Sequence, residues 1–361
     1  MSMRMLIMAG GTGGHVFPAL AVARRLREQG VEVTWLGTRR GLEARVVPDN
    51  EFAIEYINVA GLRGKGVLGW LLAPFRLLYA LRQAVAVMRR IKPGAVLGMG
   101  GFVTGPGGLA SWLMRIPLLV HEQNAIAGLT NKLLSRLARH LMQAFPNTFP
   151  ARRKAEVTGN PVRADIAALP APAERFANRS GAMRVLVIGG SLGALALNKL
   201  LPAAVAQLDS VARPHVWHQC GRRHLDVTRQ AYADAGIEAR IEPFIDNMAA
   251  AYAWADLVIC RAGALTVAEL AAAGVGSILV PYPYAVDDHQ TANAAFLEQA
   301  GAAVIVQQRD LDADSLASML KDMSEKRDRL LTMAEAARAR ARINATEIVA
   351  QRCMLAMQGQ L

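Results

Sequence analysis

Residues Met3–Leu20 read MRMLIMAGGTGGHVFPAL, an apolar run, a glycine cluster and the opening of a helical pattern. Met3–Ala9 is short and apolar enough for a buried strand. Gly10, Gly11, Gly13 and Gly14 let the backbone turn sharply and approach a ligand closely. His15 then begins a helical pattern that runs through Ala19, Ala23 and Leu26. A strand, a glycine turn and a helix N-terminus present free N–H groups and a positive dipole end to an anion. An imidazole at that mouth suits a general base. The spacing is not G-x-G-x-x-G, so a dinucleotide fingerprint is only partly met. On this stretch alone, an anion cradle and plain close packing of a helix on a sheet stand about level.

The layout recurs at Met183–Leu201, MRVLVIGGSLGALALNKLL. In the first half, strand candidates lie at Val31–Gly37, Ala53–Val59, Ala95–Gly98, Ile116–His121 and His140–Phe145, with helical patterns between them. The second half has strand candidates near His215–Gln219, Arg240–Phe244, Leu257–Cys260, Ser277–Pro281 and Ala303–Val306. Helical patterns at Lys326–Arg342 and Ala345–Gln358 close the chain. This alternation predicts an α/β protein of two Rossmann-like lobes facing a cleft, with ligands at the carboxyl ends of parallel strands. An Ala/Pro-rich stretch from Ala164 to Ala182 reads as a linker or a lobe boundary. The predicted division is 1–163, 164–340 and a last helix, 341–361, returning to brace the first lobe.

Composition narrows the function. At 361 residues, 53% hydrophobic and 19% charged, the chain is globular and long enough for two cores. A net charge of +12 asks for an anionic partner. Aromatics are only 6% and no nucleic-acid motif is present, which argues against base stacking and a nucleic-acid partner. Cys220, Cys260 and Cys353 lack metal or redox spacing. The N-terminus reads as a first strand and not a secretion signal, and no run approaches the ~20 apolar residues of a membrane span. Leu62–Lys92 is apolar and basic with no acidic residue. It reads either as a core-facing helix with a solvated basic side or as an interfacial membrane patch. Its stripe of Val67, Leu71, Phe75, Leu78, Val85 and Met88 falls near helical spacing.

Polar and glycine-rich segments cluster where strands should end. Gly98–Gly108 (GMGGFVTGPGG), His121–Gly128 (HEQNAIAG) and Thr158–Arg163 (TGNPVR) lie in the first half. Gly189–Ala194 (GGSLGA), Arg261–Leu270 (RAGALTVAEL) and Pro281–Asn293 (PYPYAVDDHQTAN) lie in the second. Asp287 and Asp288 read as an N-cap pair in preference to a metal site. Glu269 reads as a ribose ligand or a plain surface residue. No Ser-His-Asp order, Walker lysine or zinc spacing is evident. The set suits a nucleotide-diphosphate ligand.

Taken in register, GGTGGHVFPALAVA, GMGGFVTGPGG, HEQNAIAGLTNK, VTGNPVR, GGSLGA, PFIDNM, RAGALTVAEL and DDHQTANA closely resemble the MurG family of undecaprenyldiphospho-muramoylpentapeptide β-N-acetylglucosaminyltransferases, along nearly the whole chain. The resemblance implies the GT-B fold and a UDP-GlcNAc donor held mainly by the C-terminal lobe. Ile245 would meet the uracil through its backbone and Glu269 the ribose. Ser191 and the helix start Ala264, Leu265, Thr266, Val267 and Ala268 would bind the diphosphate. Arg163 lies in the matching TGNPVR, and Asn124 and Gln290 would contact the sugar or its surroundings. Thr12, Gly13 and Gly14 would close the cleft from the N-terminal lobe; with the donor diphosphate assigned to the other lobe, we expect the first glycine turn to face the acceptor. The implied acceptor is lipid I, an undecaprenyl-diphosphate muramoyl-pentapeptide, with inverting transfer to its muramoyl 4-hydroxyl and no cofactor or metal. His15 is the expected base and Glu122 the alternative. The resemblance also implies a peripheral location on the cytoplasmic face of the inner membrane, contact with its anionic surface, and cell-wall synthesis and division proteins as partners. Competing readings are a UDP-GlcNAc 2-epimerase, which shares the two-lobed fold, and a non-catalytic nucleotide-sugar binder.

Overall fold

A computed structural model describes residues 3–59, 72–190 and 193–361. The chain divides into two compact units, Met1–Val162 with Ile343–Leu361, and Arg163–Arg342. Both rest on one constraint. Parallel strands cannot be joined by hairpins, so each connection crosses a face of the sheet, usually as a helix.

In the first unit the strands are β1 (Arg4–Met8), β2 (Glu32–Gly37), β3 (Ala53–Tyr56), β4 (Ala95–Gly98), β5 (Leu118–Glu122), β6 (His140–Gln143) and β7 (Glu156–Val157). Their spatial order is β3-β2-β1-β4-β5-β6-β7, every pair parallel. The chain leaves β1 toward one edge and returns to the other side of it at β4. The carboxyl ends of β1 and β4 therefore flank the point where the strand order reverses. Period-two alternation feeds both faces. Met5 and Ile7 enter one core with Trp35, and Leu6 and Met8 enter the other with Leu36.

Helix Ala345–Met357 belongs to this first core although it is last in sequence. Val349, Ala350, Cys353 and Ala356 pack among Ala19, Ala23 and Leu26 of helix Gly13–Glu28. Arg352 donates twice to Glu156, at 2.8 Å each. That pairing is the main cause holding the Glu156 carboxyl down at about 2.

The second unit repeats the design with β8 (Arg184–Ile188), β9 (His215–Gln219), β10 (Arg240–Glu242), β11 (Leu257–Cys260), β12 (Gly276–Leu279) and β13 (Ala303–Ile305). The parallel order is β10-β9-β8-β11-β12-β13, which reverses between β8 and β11.

Three expectations need correction. The Ala/Pro-rich stretch begins next to the division between the units at Val162 and Arg163, but it is no free linker and carries two short helices, Ala164–Ala167 and Pro172–Phe176. Arg175 reaches the Tyr252 and Ala273 carbonyls, and Arg179 pairs with buried Asp256. β5 runs on to Glu122, one residue past the expected strand end at His121, so Glu122 is part of the strand rather than of the loop beyond it. Helix Ala73–Ile91 buries Ala80, Ala84, Val87 and Met88, a face of mostly small residues, while Phe75 and Leu78 of the expected stripe are exposed. Leu62–Leu71 lies outside the described residues.

Val349→Ala should destabilise the first unit by about 2 kcal/mol, because the methyls removed fill a core with no route to collapse. A lower urea midpoint checks this, and an unchanged midpoint would show that the last helix is not integral to that core.

Candidate functional site

The first unit gathers its polar residues at the β1/β4 reversal. The turn after β1 and the turn after β4 touch directly: Gly10 N–H donates to the Gly100 carbonyl at 3.3 Å. Gly100 (φ +105°) and Gly101 (φ +87°) both take left-handed backbone. A Cβ on Gly101 would come within 2.4 Å of the Gly10 carbonyl oxygen, and one on Gly100 within 2.7 Å of the His15 ring. Only glycine satisfies both demands.

Glu43, which sequence reasoning missed, holds the first turn. Its buried carboxylate accepts from Gly11 N–H (2.9 Å), Thr38 N–H (2.9 Å) and the Thr38 hydroxyl (2.8 Å). Thr12 is the exposed, extended N-cap of helix Gly13–Glu28, and its carbonyl accepts from His15 and Val16 N–H. Gly13 and Gly14 form the first turn of that helix, whose leading N–H groups have no intrahelical partner.

His15 is half-buried, with Nδ1 2.8 Å from Gln123 Oε1. Gln123 Nε2 lies 3.1 Å from the His121 carbonyl and 3.2 Å from His121 Nδ1. His121 Nε2 in turn lies 2.9 Å from the Gly159 carbonyl in the TGNPVR turn. Burial pushes His121 down to about 4, with the Gly159 hydrogen bond opposing, so its imidazole is neutral.

Glu122 projects elsewhere. Only 1% exposed, it accepts from Asn124 N–H (3.0 Å), Asn124 Nδ2 (3.2 Å), Gly128 N–H (3.0 Å) and Asn131 Nδ2 (2.9 Å). Four donors occupy the four or so lone-pair positions a carboxylate has.

In the second unit the reversal lies between β8 and β11. The turn after β8 contains Ser191, which lies outside the described residues together with Leu192. Gln219 fixes the preceding residue, accepting from Gly190 N–H at 3.0 Å and donating to the Gly190 carbonyl at 3.1 Å. After β11, helix Ala264–Ala273 begins at Gly263 with no side chain capping it. The first-turn N–H groups of Ala264, Leu265 and Thr266 are therefore open to an anion, while Val267 N–H bonds the Gly263 carbonyl. Val267 is buried and Ala268 partly so.

Glu269 is no surface residue. It is buried, receives Arg163 Nε and Nη2 on Oε1 (3.2 and 3.0 Å) and the Tyr252 hydroxyl on Oε2 (3.1 Å). Burial raises its carboxyl pKa, and Arg163 acts against that shift. Ile245 has a buried side chain in the turn after β10. Gln290 Oε1 accepts from Tyr282 N–H at 2.9 Å, holding the PYPY turn. Asp288 occupies the N-cap position of helix His289–Glu298, but both it and Asp287 are left-handed. Its carboxylate takes the Thr291 hydroxyl (2.8 Å) instead of a backbone N–H, so the expected capping pair does not form.

Comparison with known proteins assigns the family. The glycosyltransferase family 28 N-terminal domain matches residues 5–143, and the family 28 C-terminal domain matches 184–349. A relative from Nitrosococcus oceani, named UDP-N-acetylglucosamine--N-acetylmuramyl-(pentapeptide) pyrophosphoryl-undecaprenol N-acetylglucosamine transferase, is 56% identical, covering 99% of this chain and 100% of its own. One of the same name from Alkalilimnicola ehrlichii is 59% identical over 98% of this chain and 99% of its own. The crystal structure of Acinetobacter baumannii MurG superposes with a TM-score of 0.85 at 45% identity, covering 98% of this chain and 99% of that one. A UDP-GlcNAc 2-epimerase from Neisseria meningitidis shares the fold alone, with a TM-score of 0.67 at 13% identity over 98% of this chain and 100% of that one.

Buried neutral His121 has an acid-stability consequence. The unfolded chain binds this proton near the ordinary 6.5, the folded chain only near 4. Stability is therefore complete above 6.5 and falls as pH drops toward 4. Going from about pH 7 to about pH 5 should remove about 2 kcal/mol through this group. Urea midpoints across that range should fall less steeply in His121→Gln; equal slopes would contradict a neutral buried ring.

Proposed function

The chain belongs to glycosyltransferase family 28, and we propose that it transfers N-acetylglucosamine from UDP-GlcNAc to the muramoyl 4-hydroxyl of lipid I, with inversion, giving lipid II. The observation that carries this reading is near-full-length identity of 51–59% to relatives all named for that transfer. The epimerase reading has only fold in its favour, and fold does not fix chemistry.

The second unit holds the donor. The open N–H groups at Ala264–Thr266, with the Gly189–Ala194 turn, receive the diphosphate and stabilise the charge that grows on it as UDP leaves. Glu269 takes the ribose. Arg163 and Tyr252 use three of its lone-pair positions and leave one beside Tyr252, so one ribose hydroxyl binds Oε2 while Arg163 holds Oε1. Ile245 borders the uracil through its backbone. Gln290 acts on the sugar's surroundings through the Tyr282 turn it holds.

The first unit holds the acceptor. Its open helix start at Thr12–Gly14 suits the lipid diphosphate, and His15 removes the proton from the attacking hydroxyl. Glu122 is assigned to shaping the Asn124–Asn131 loop, since acting as a base would require breaking four hydrogen bonds. Asn124, tied to that carboxylate, presents the loop to the sugar.

The membrane surface is met by helices Ala73–Ile91, Thr104–Leu113 and Leu129–Leu134, which neighbour one another. They expose Phe75 (71%), Leu78, Tyr79, Trp112, Leu113, Leu129 (72%) and Leu133. Arg76, Arg82 and Lys132 are exposed on the same helices, which carry no acidic residue. Among the described residues no helix is long and apolar enough to cross a membrane. This surface lies in the interface, at the inner leaflet where a polyprenyl-diphosphate acceptor resides.

With UDP-GlcNAc and a lipid I analogue the protein should release UDP. His15→Ala should lower kcat by about 10²–10⁴-fold with donor affinity intact. Gly14→Ala has room in the fold, the nearest atom to its Cβ being Thr12 Oγ1 at 3.8 Å, and should raise acceptor KM alone. Release of UDP-ManNAc without acceptor would overturn the transferase. Replacing Phe75 and Leu129 together with serine should weaken sedimentation with phosphatidylglycerol vesicles by at least about tenfold, given ~1.5–3 kcal/mol for each large apolar side chain buried. Undiminished binding would remove these helices from the contact.

A further inference from the structure

A histidine serves as a base only through a ring nitrogen that lacks a proton, so its tautomer matters as much as its position. Resting on the reading of His15 as the base, we infer that Gln123 and His121 form a neutral relay that fixes the His15 tautomer, leaving Nε2 with its lone pair available to the acceptor hydroxyl.

Two groups around this chain of contacts, the Gly159 and His121 carbonyls, can only accept. The Gly159 carbonyl lies 2.9 Å from His121 Nε2, so that nitrogen carries the proton. A neutral His121 must then accept at Nδ1. The His121 carbonyl lies 3.1 Å from Gln123 Nε2, and the same amide nitrogen lies 3.2 Å from His121 Nδ1. The two amide protons of Gln123 thus meet two acceptors. Turning the amide over would set its oxygen against a carbonyl oxygen and a ring lone pair, so its orientation is determined. Gln123 Oε1 is left facing His15 Nδ1 at 2.8 Å. That contact requires a proton on Nδ1, and in the neutral ring Nε2 is then bare.

Every member sits on an element that holds it. His121 is fully buried at the end of β5, Gln123 follows it and is 1% exposed, and the His15 ring lies against Gly100. Gln123 and His121 are positioning residues, acting on the reaction through His15. The arrangement does for His15 what an orienting third group does in a nucleophile–base–orienter triad, but with an amide in place of a carboxylate. When His15 takes up the acceptor proton at Nε2, the Nδ1–H bond to Gln123 is retained and no second proton moves.

The test uses the full chain labelled with ¹⁵N in histidine. Long-range ¹H–¹⁵N spectra near neutral pH should show His15 protonated at Nδ1 and bare at Nε2. Gln123→Met, similar in length but unable to accept this bond, should shift His15 toward the Nε2–H form. It should also lower kcat by about 10- to 100-fold while leaving the KM for UDP-GlcNAc unchanged. A wild-type His15 found protonated at Nε2 would overturn the relay, and this reading needs no variant to fold. An equal loss in kcat and donor affinity, with the tautomer unmoved, would overturn it too. A tautomer that shifts in Gln123→Met with kcat unchanged would uphold the relay and overturn His15 as the base.

Discussion

Both halves of this molecule depend on one constraint, the reversal of strand order in a parallel sheet. Helical crossovers carry the chain outward from β1 on one side and from β4 on the other, so the turns after those two strands have no crossover between them. That leaves open space at the strand ends, where a ligand site can be built. In the first unit the two turns are glycine-rich so that they can touch, and their contact at Gly10 and Gly100 sets the His15 ring. In the second unit the equivalent position, between β8 and β11, leaves the helix start at Ala264 open. The proposed division of labour, acceptor chemistry in one unit and donor binding in the other, rests on one design used twice.

Much of this was legible in the sequence because the signals are local. Glycine turns between an apolar run and a helical pattern are contiguous, and they marked β1, β4, β8 and β11 within a residue or two of their ends. The helix at Ala264 was legible for the same reason. What stayed hidden depends on residues far apart in the chain. Gln123 bonds His15 across 108 residues, and Glu43 bonds Gly11 across 32. Nothing in GLEARVV marks that glutamate as buried, and Gln123 was visible only as one of four polar residues in HEQN. The role of Glu122 also needed coordinates, since sequence cannot tell an exposed carboxylate from one holding four donors.

The helix from Ala73 to Ile91 shows how a pattern with two readings is resolved by burial. Large apolar residues at helical spacing usually face a core. Here alanines at 80 and 84 make the close contact, and Phe75, Leu78 and Tyr79 are left outside. Glu269 went the other way. Of its two readings, ribose ligand or plain surface residue, burial between an arginine and a tyrosine removes the second, since a buried carboxylate is costly unless it is paired.

The proposed chemistry turns on His15, held by Gln123, as the base that deprotonates the acceptor. A crystal structure with UDP-GlcNAc and an unreactive muramoyl acceptor analogue bound would measure this most directly. His15 Nε2 should lie within about 3 Å of the acceptor 4-hydroxyl, with the Nδ1 bond to Gln123 kept and Glu122 still bound by its loop. A structure in which Glu122 has left Asn124, Gly128 and Asn131 to reach that hydroxyl, with His15 turned away, would contradict it.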